Sequence, residues 1–306
     1  MGQTKVRPEA FAVPLTQGIA KPAALDARQI EQTIARLQSL PAFYPALQKA
    51  LRLAQDPDAG NSQLQQAIHA DQAIAARVLQ LANSAYFGFY SRVQTVSLAV
   101  SLIGRERTTT LLLRLMAEEL LTLLAGYKAA AGEIRRLSLA TSAAAHTLAD
   151  RMLRSDKEEI LLAGLLHNIG DLMMFTQFRE HYEEVLRLAE EMPRAEAEKA
   201  VFGMESRVAG KRLLEAWNFP PFFPSVVEHH TDPWSAHFPT APLAAIALIH
   251  GARQMAEAAI RGDDSARMLL SLPPRLLSTL EVDREFLADV YDQLPEAIAR
   301  LSGEQD

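Results

Sequence analysis

The chain has 306 residues, of which 49% are hydrophobic and 22% charged, and a formal net charge of -6 at pH 7. That length supports one large domain or two lobes with real cores, and that composition excludes a disordered chain and a broad basic nucleic-acid surface. The absence of cysteine excludes disulfides, thiolate metal sites and cysteine nucleophiles. No apolar run reaches membrane-spanning length: the best candidate, Leu111 to Leu124, is interrupted by Arg114, Glu118 and Glu119. The opening MGQTKVRPEAFAVPL lacks a sustained apolar core of the secretory kind, so a cytoplasmic protein without membrane attachment is expected.

Residues 1 to about 25 read as a loose arm rich in Pro, Ala and polar residues. Ile30, Ile34 and Leu37 form the first helical stripe, ended near Pro41, and a second helix is expected from Tyr44 to Ala54. Asp56-Pro57-Asp58-Ala59-Gly60 is a turn, after which Asn61 or Ser62 can cap a helix carrying Leu64 and Ile68. Asp71 can cap the next, in which Ile74, Val78, Leu81 and Ala82 share a face until Asn83-Ser84 ends the run. Thr95 opens a short helix that Gly104 stops, and a long amphipathic helix follows over about 105–125. Beyond a boundary near Gly126 to Gly132, helices are expected at about 132–153, 157–167, 175–191, 195–217, 221–230 and 240–259. Pro273-Pro274 and a further periodic run ending near Leu301 complete the chain. The apolar residues of that run, from Leu276 and Leu280 to Leu294 and Ile298, need a surface to bury against. No strand–helix alternation and no fixed-period repeat is visible, so the fold class is all-α.

Four segments carry a resemblance. The first runs from Asp71 through Leu81-Ala82-Asn83-Ser84-Ala85-Tyr86-Phe87-Gly88, and the second is Val96-x-x-Ala99-x-x-x-Ile103-Gly104. The third is Ala163-Gly164-Leu165-Leu166-His167-Asn168-Ile169-Gly170, and the fourth runs from Phe202-Gly203 through Gly210, Trp217 and Pro220 to His229-His230. With these segments in this order, spanning roughly residues 30 to 255, the chain resembles the HDOD family, the HD-related output domain of bacterial signalling proteins. The resemblance implies a two-lobed helical fold whose second lobe is similar to the HD metal-dependent phosphohydrolases. On that reading the arm covers 1–25, the N-terminal lobe 26–126, the HD-like lobe 127–259 and a helical tail 260–306.

The HD enzymes hold one or two divalent metals with a His-Asp pair and further His and Asp ligands, and the metal activates water. Here the pair is His167-Asn168; asparagine is a poorer ligand and cannot act as a base. Leu137 or Ser138 stands at the enzymes' first histidine position, and Ser206 near another. The resemblance therefore implies a vestigial pocket built from His167, Asn168, Asp171, Ser206, His229 and His230, with no metal, no cofactor and no catalytic residue. Neighbouring helical residues point about 100° apart, so His229 and His230 do not both face one metal. His69, His181, His237 and His250 lack such a context and read as ordinary surface or boundary residues.

Asp71, Asn83, Ser84, Tyr86, Gly88 and Gly104 are the signature positions of the first lobe and candidates for an interaction surface. Their plainer reading is structural: Asn83 and Ser84 satisfy backbone groups where a helix stops, and Gly88 and Gly104 serve chain reversals. Arg105, Arg107, Arg114, Arg135 and Arg136 read as a solvated face with local ion pairs, the alternative being contact with a phosphate-bearing ligand. The functional expectation is a non-catalytic bacterial signal-transduction module. Its expected partner is a signalling protein such as a response regulator or a cyclic-dinucleotide enzyme, or a small nucleotide ligand. The alternatives are a phosphohydrolase with a degenerate HD site and a nucleotide-sensing or RNA-associated regulator; the first needs four convergent ligands, the second a basic surface with exposed aromatics.

Overall fold

The computed structural model describes residues 23–38, 45–83, 93–125, 131–235 and 241–302, and among them every regular element is a helix. Contacts divide the chain into two units, one of residues 36–123 and a larger one that joins the residues up to 35 to those from 124 onward. The first helix, α1 (Ala27–Gln38), was expected in a lobe of residues 26–126, and most of it instead belongs with the larger unit. The cause is visible at its start. Asp26 and Gln29 cap the helix reciprocally, at 2.9 and 3.0 Å, and the chain just before them is tied down when the Leu25 N–H donates to the Val201 carbonyl at 2.8 Å. Glu31 then pairs with Arg212.

The smaller unit contains α2 (Pro45–Gln55), α3 (Asn61–His69), α4 (Gln72–Ala82), α5 (Val96–Ile103) and most of α6 (Arg105–Ala125). Leu47, Leu51, Leu64, Ile68, Ile74, Val78, Val100 and Leu112 recur at helical spacing and are all buried, so the apolar stripes close on one core. Asp71 accepts from the Ile74 N–H at 3.1 Å and Thr95 from the Leu98 N–H at 3.2 Å, capping α4 and α5. Neither Asn61 nor Ser62 caps α3; the helix begins at Asn61, and the Gly60 N–H donates to Gln63 Oε1 at 3.1 Å. Gly104 ends α5 at φ 82°, a conformation that favours glycine.

Asn83 bridges the two ends of the segment it precedes. Its Nδ2 donates to the Leu79 carbonyl at 2.7 Å and the Val93 carbonyl at 2.8 Å, while its Oδ1 accepts from the Val93 N–H at 2.7 Å. Ser84, Tyr86 and Gly88 lie outside the described residues. Val93 is buried, so losing the Asn83 amide strands its backbone groups. We expect Asn83→Ala to destabilise this unit by about 2 kcal/mol in urea denaturation, with Asn83→Asp no better because it sets a carboxylate against two carbonyl oxygens. Arg105, read above as part of a solvated face, is instead a helix-end clamp: its guanidinium donates to the carbonyls of Leu53 at 2.7 Å and Asp56 at 2.9 Å, and to that of Ala59. Arg114 is held by Glu118 at 3.1 Å.

In the larger unit α7 (Ala131–Arg151) packs on α8 (Lys157–Leu166). Then come α9 (Ile169–Gln177), α10 (Arg179–Leu188), α11 (Arg194–Phe202), α12 (Ser206–Ala216), α13 (Phe222–His229) and α14 (Leu243–Arg261), the last lying against α7 and α8. Two expected helices are each split. The run over 175–191 breaks at Phe178, whose φ of -140° is non-helical, and the run over 195–217 breaks at Gly203, in the left-handed region at φ 69°. Of the expected boundary at Gly126 to Gly132, residues 126–130 lie outside the described residues. The tail forms α15 (Ser265–Ser271), α16 (Pro274–Leu280), α17 (Arg284–Asp292) and α18 (Leu294–Ser302). It folds back on its own unit, α18 and α17 on α7 and α16 on α14, burying Leu276, Leu280, Leu287, Val290 and Leu294.

Candidate functional site

His167 and Asn168 form the junction between α8 and α9, and close helix crossings on either side fix that junction. A Cβ on Gly164 would stand 2.8 Å from Ser142 Cα of α7, and one on Gly170 would stand 1.9 Å from the Ser206 carbonyl oxygen of α12. Only glycine lets α8 and α9 approach this far. The junction thereby faces the end of α13, and His167 meets His230 edge to face with ring centroids 5.2 Å apart.

Both imidazoles are buried, and each turns its Nδ1 to a carbonyl three residues back: His167 to Gly164 at 2.7 Å, His230 to Val227 at 2.9 Å. A carbonyl only accepts, so Nδ1 carries the proton in each ring and Nε2 is an acceptor in the neutral form. His167 Nε2 is buried and has no hydrogen-bond partner. Burial, then the neighbouring Arg253 guanidinium, push the His167 pKa down to about 3 against the opposing pull of its bond to Gly164. Burial likewise holds His230 well below the usual histidine value, followed by His167 and Arg253.

Asn168 does not face this pair with a free amide. Its Oδ1 accepts from Ser138 Oγ of α7 at 2.6 Å and its Nδ2 donates to the Ile134 carbonyl at 3.0 Å. Asp171, one turn on, accepts from Tyr182 Oη at 3.0 Å and from Arg194. Arg194 donates through Nε to Glu198 at 2.9 Å, and Glu198 accepts both from the Ser206 N–H at 2.8 Å and from Ser206 Oγ at 3.0 Å. Asp171 and Ser206 are therefore linked through one arginine and one buried glutamate. Burial, reinforced by Asp171, raises the Glu198 pKa, and the same two causes raise that of Tyr182.

His167, Asn168, Asp171, Ser206 and His230 line one cavity of about 360 Å³ in the larger unit. His229 is not on its wall; it turns away, with Nε2 3.1 Å from Glu228 Oε2, as the angular spacing of adjacent helical residues requires. Sequence reasoning missed several wall residues. Tyr182, Arg194 and Glu198 come from α10 and α11, and Arg253 and Glu257, paired at 2.8 Å, from α14. Their legible signal was limited to the four-residue Arg–Glu spacings of 194/198 and 253/257. His250, read as an ordinary boundary residue, carries the second layer: its Nδ1 donates to the His230 carbonyl at 2.8 Å and its Nε2 accepts from Gln254 at 3.0 Å.

The divalent metal that the enzyme resemblance implies does not fit these side chains. Among the described residues no three His, Asp or Glu side chains are placed to hold a metal ion. His167 Nε2 offers an open lone pair, but the Asn168 oxygen is taken by Ser138 and the Asp171 carboxylate by Tyr182 and Arg194. Mg²⁺ and Mn²⁺ prefer oxygen ligands, carboxylates above all.

Comparison with known proteins places these features in a family. The HDOD domain matches residues 40–233, more than half of the chain. A solved structure from Shewanella amazonensis SB2B, named "Putative phosphohydrolase", superposes with a TM-score of 0.64 at 20% identity, covering 90% of this chain and 98% of that one. An HDOD domain protein with unknown function from Geobacter sulfurreducens gives a TM-score of 0.61 at 21% identity, with the same coverage of 90% and 98%. At such identities the likeness is one of fold. An uncharacterized protein of Treponema pallidum (strain Nichols) is 24% identical over 254 residues, 82% of this chain; the chain spans about half of that relative's length, 48%.

Proposed function

Because this chain belongs to the HDOD domain family, we propose that it is a non-catalytic signal-transduction module that acts by binding a protein partner or a small ligand. The observation that carries this reading is the 2.6 Å hydrogen bond between Ser138 and Asn168. Asn168 stands where the resemblance puts an aspartate of the enzymes, and Ser138 is, with Leu137, one of the two candidates for a histidine position; these two neutral side chains satisfy each other. Asp171 is engaged in an ion pair, and nothing in this set generates a hydroxide or stabilises charge on a transferring phosphoryl group. The cavity remains as a recognition site. The partners that fit the family context are a response regulator or a cyclic-dinucleotide enzyme. No helix among the described residues is long and apolar enough to cross a membrane.

A phosphohydrolase is the second reading, favoured by the open Nε2 of His167. Turnover assays separate the two. Nucleotides, cyclic dinucleotides and a generic phosphodiester are offered with Mg²⁺, Mn²⁺, Fe²⁺ or Ni²⁺ to the unmodified protein and to Asn168→Asp. We expect no turnover by the unmodified protein. Metal-dependent turnover that His167→Ala abolishes would overturn the binding-module reading.

A further inference from the structure

We propose that the cavity beside His167 and His230 is a binding site for a small organic molecule that presents paired N–H donors, a guanidinium or an aminated heterocycle, and that it does not take phosphate. This rests on the non-catalytic reading above and names the ligand chemistry of the same site.

In both rings the Nδ1 proton is spent on a helix carbonyl, at 2.7 Å for His167 and 2.9 Å for His230. Each Nε2 is therefore a lone pair, and the two rings meet edge to face with centroids 5.2 Å apart. The buried Nε2 of His167 has no partner, and a buried acceptor left unsatisfied is costly. A phosphate oxygen is itself an acceptor, and it would face those lone pairs unless the imidazoles took up protons. Burial and the Arg253 guanidinium oppose that protonation.

The charges agree. Three guanidiniums reach the wall, and each is already committed: Arg194 to Asp171 and Glu198, Arg207 to Glu205, and Arg253 to Glu257 at 2.8 Å. With Glu133 the wall holds five carboxylates against those three, and Lys199 on Glu205 at 2.8 Å leaves an excess of one negative charge where an anion would have to sit. Ile134, Leu137 and Phe175 supply an apolar face for a flat ligand body. A volume of about 360 Å³ suits a molecule of that size.

The test uses the full chain without added metal. Agmatine and adenine are the probes, one a cationic and the other a neutral carrier of paired N–H donors; inorganic phosphate and pyrophosphate are the counter-probes. Calorimetric titration should show saturable binding of agmatine, adenine or both, and none of the two anions. His167→Ala should weaken binding at least tenfold. If that variant fails to fold, the unmodified protein still decides: the ¹⁵N resonance of an imidazole Nε2 should move on titration with the probe, as an acceptor gaining a donor does. Binding of phosphate in preference, binding of neither N–H donor, or an Nε2 resonance that does not move would overturn the proposal. Metal-dependent turnover in the separate assay sinks the non-catalytic reading, whereas failure of the probes to bind sinks only this ligand class.

Discussion

Gly170→Ala should destabilise this protein by at least about 3 kcal/mol, the upper end of what overpacking usually costs. The added methyl would stand 1.9 Å from the Ser206 carbonyl oxygen, 2.7 Å from its carbon and 2.9 Å from the Gly210 nitrogen. All three are backbone atoms, so no rotamer change relieves the clash; α9 and α12 must move apart. Gly210 faces the same crossing, with its own Cβ position 3.0 Å from the Gly170 nitrogen. Separation would also pull Ser206 from Glu198 and so slacken the network that ends on Asp171. Gly132→Ala is the control. That site sits near the start of α7 with nothing within 4 Å of the added Cβ, and helix propensity alone predicts a change of no more than about 1 kcal/mol, in the stabilising direction. Thermal unfolding of both variants checks the contrast. A Gly170→Ala protein that melts with the unmodified chain would mean that the crossing is not held as described.

The sequence made the helices legible wherever apolar spacing was long and its ends were chemically marked. The helix expected over 105–125 is α6, and those expected at 132–153 and 221–230 match α7 and α13 within two residues at either end. The two splits were not legible for different reasons. Phe178 carries no breaker chemistry; its ring lies against that of Phe202, with centroids 6.2 Å apart. Gly203 was in plain view, but a glycine inside a periodic run marks a stop only when the backbone adopts positive φ, as it does here at 69°. The placement of α1 depended on tertiary contacts with Val201 and Arg212, which no local pattern encodes.

The candidate site divides in the same way. The His167-Asn168 pair stood out because its motif is contiguous. On the resemblance, Leu137 or Ser138 stands at the enzymes' first histidine position; Leu137 lines the cavity, and Ser138 hydrogen-bonds Asn168, a pairing the sequence did not announce. Asp171 lies on the cavity wall, with its carboxylate turned to Tyr182 and Arg194. Arg253 and Glu257 could not have been placed from the sequence, because they reach the cavity only through the packing of α14 on α7 and α8. Isolated Arg–Glu pairs at four-residue spacing are common on surface helices and carry no address.

Acidification should destabilise the larger unit before most of its carboxylates titrate. His167 is fully buried with a pKa depressed to about 3 by burial and then by Arg253, and His230, 5% exposed, is depressed for the same reasons together with His167 itself. In the unfolded chain both titrate near the ordinary value of about 6.5. Above that pH neither state is protonated and stability is complete. Below it the unfolded chain binds two protons that the folded chain refuses, so unfolding is drawn forward as pH falls. Well below pH 6.5 each histidine that stays neutral in the fold then costs about 1.4 kcal/mol per pH unit, or roughly 3 kcal/mol for the pair between pH 6.5 and 5. His229 and His250, also depressed and chiefly by burial, act in the same direction. Glu198, raised by burial and then by Asp171, opposes them because its protonation favours the folded state. Urea denaturation at intervals from pH 7.5 to 5 should therefore show stability that is level at first and then falls steeply. His230→Leu removes one of the two groups at similar volume. Whatever its effect at pH 7.5, it should reduce the slope below pH 6 by about 1.4 kcal/mol per pH unit. A slope that the substitution leaves unchanged would show that His230 takes up its proton without unfolding, and the buried, neutral imidazole pair would then be wrong.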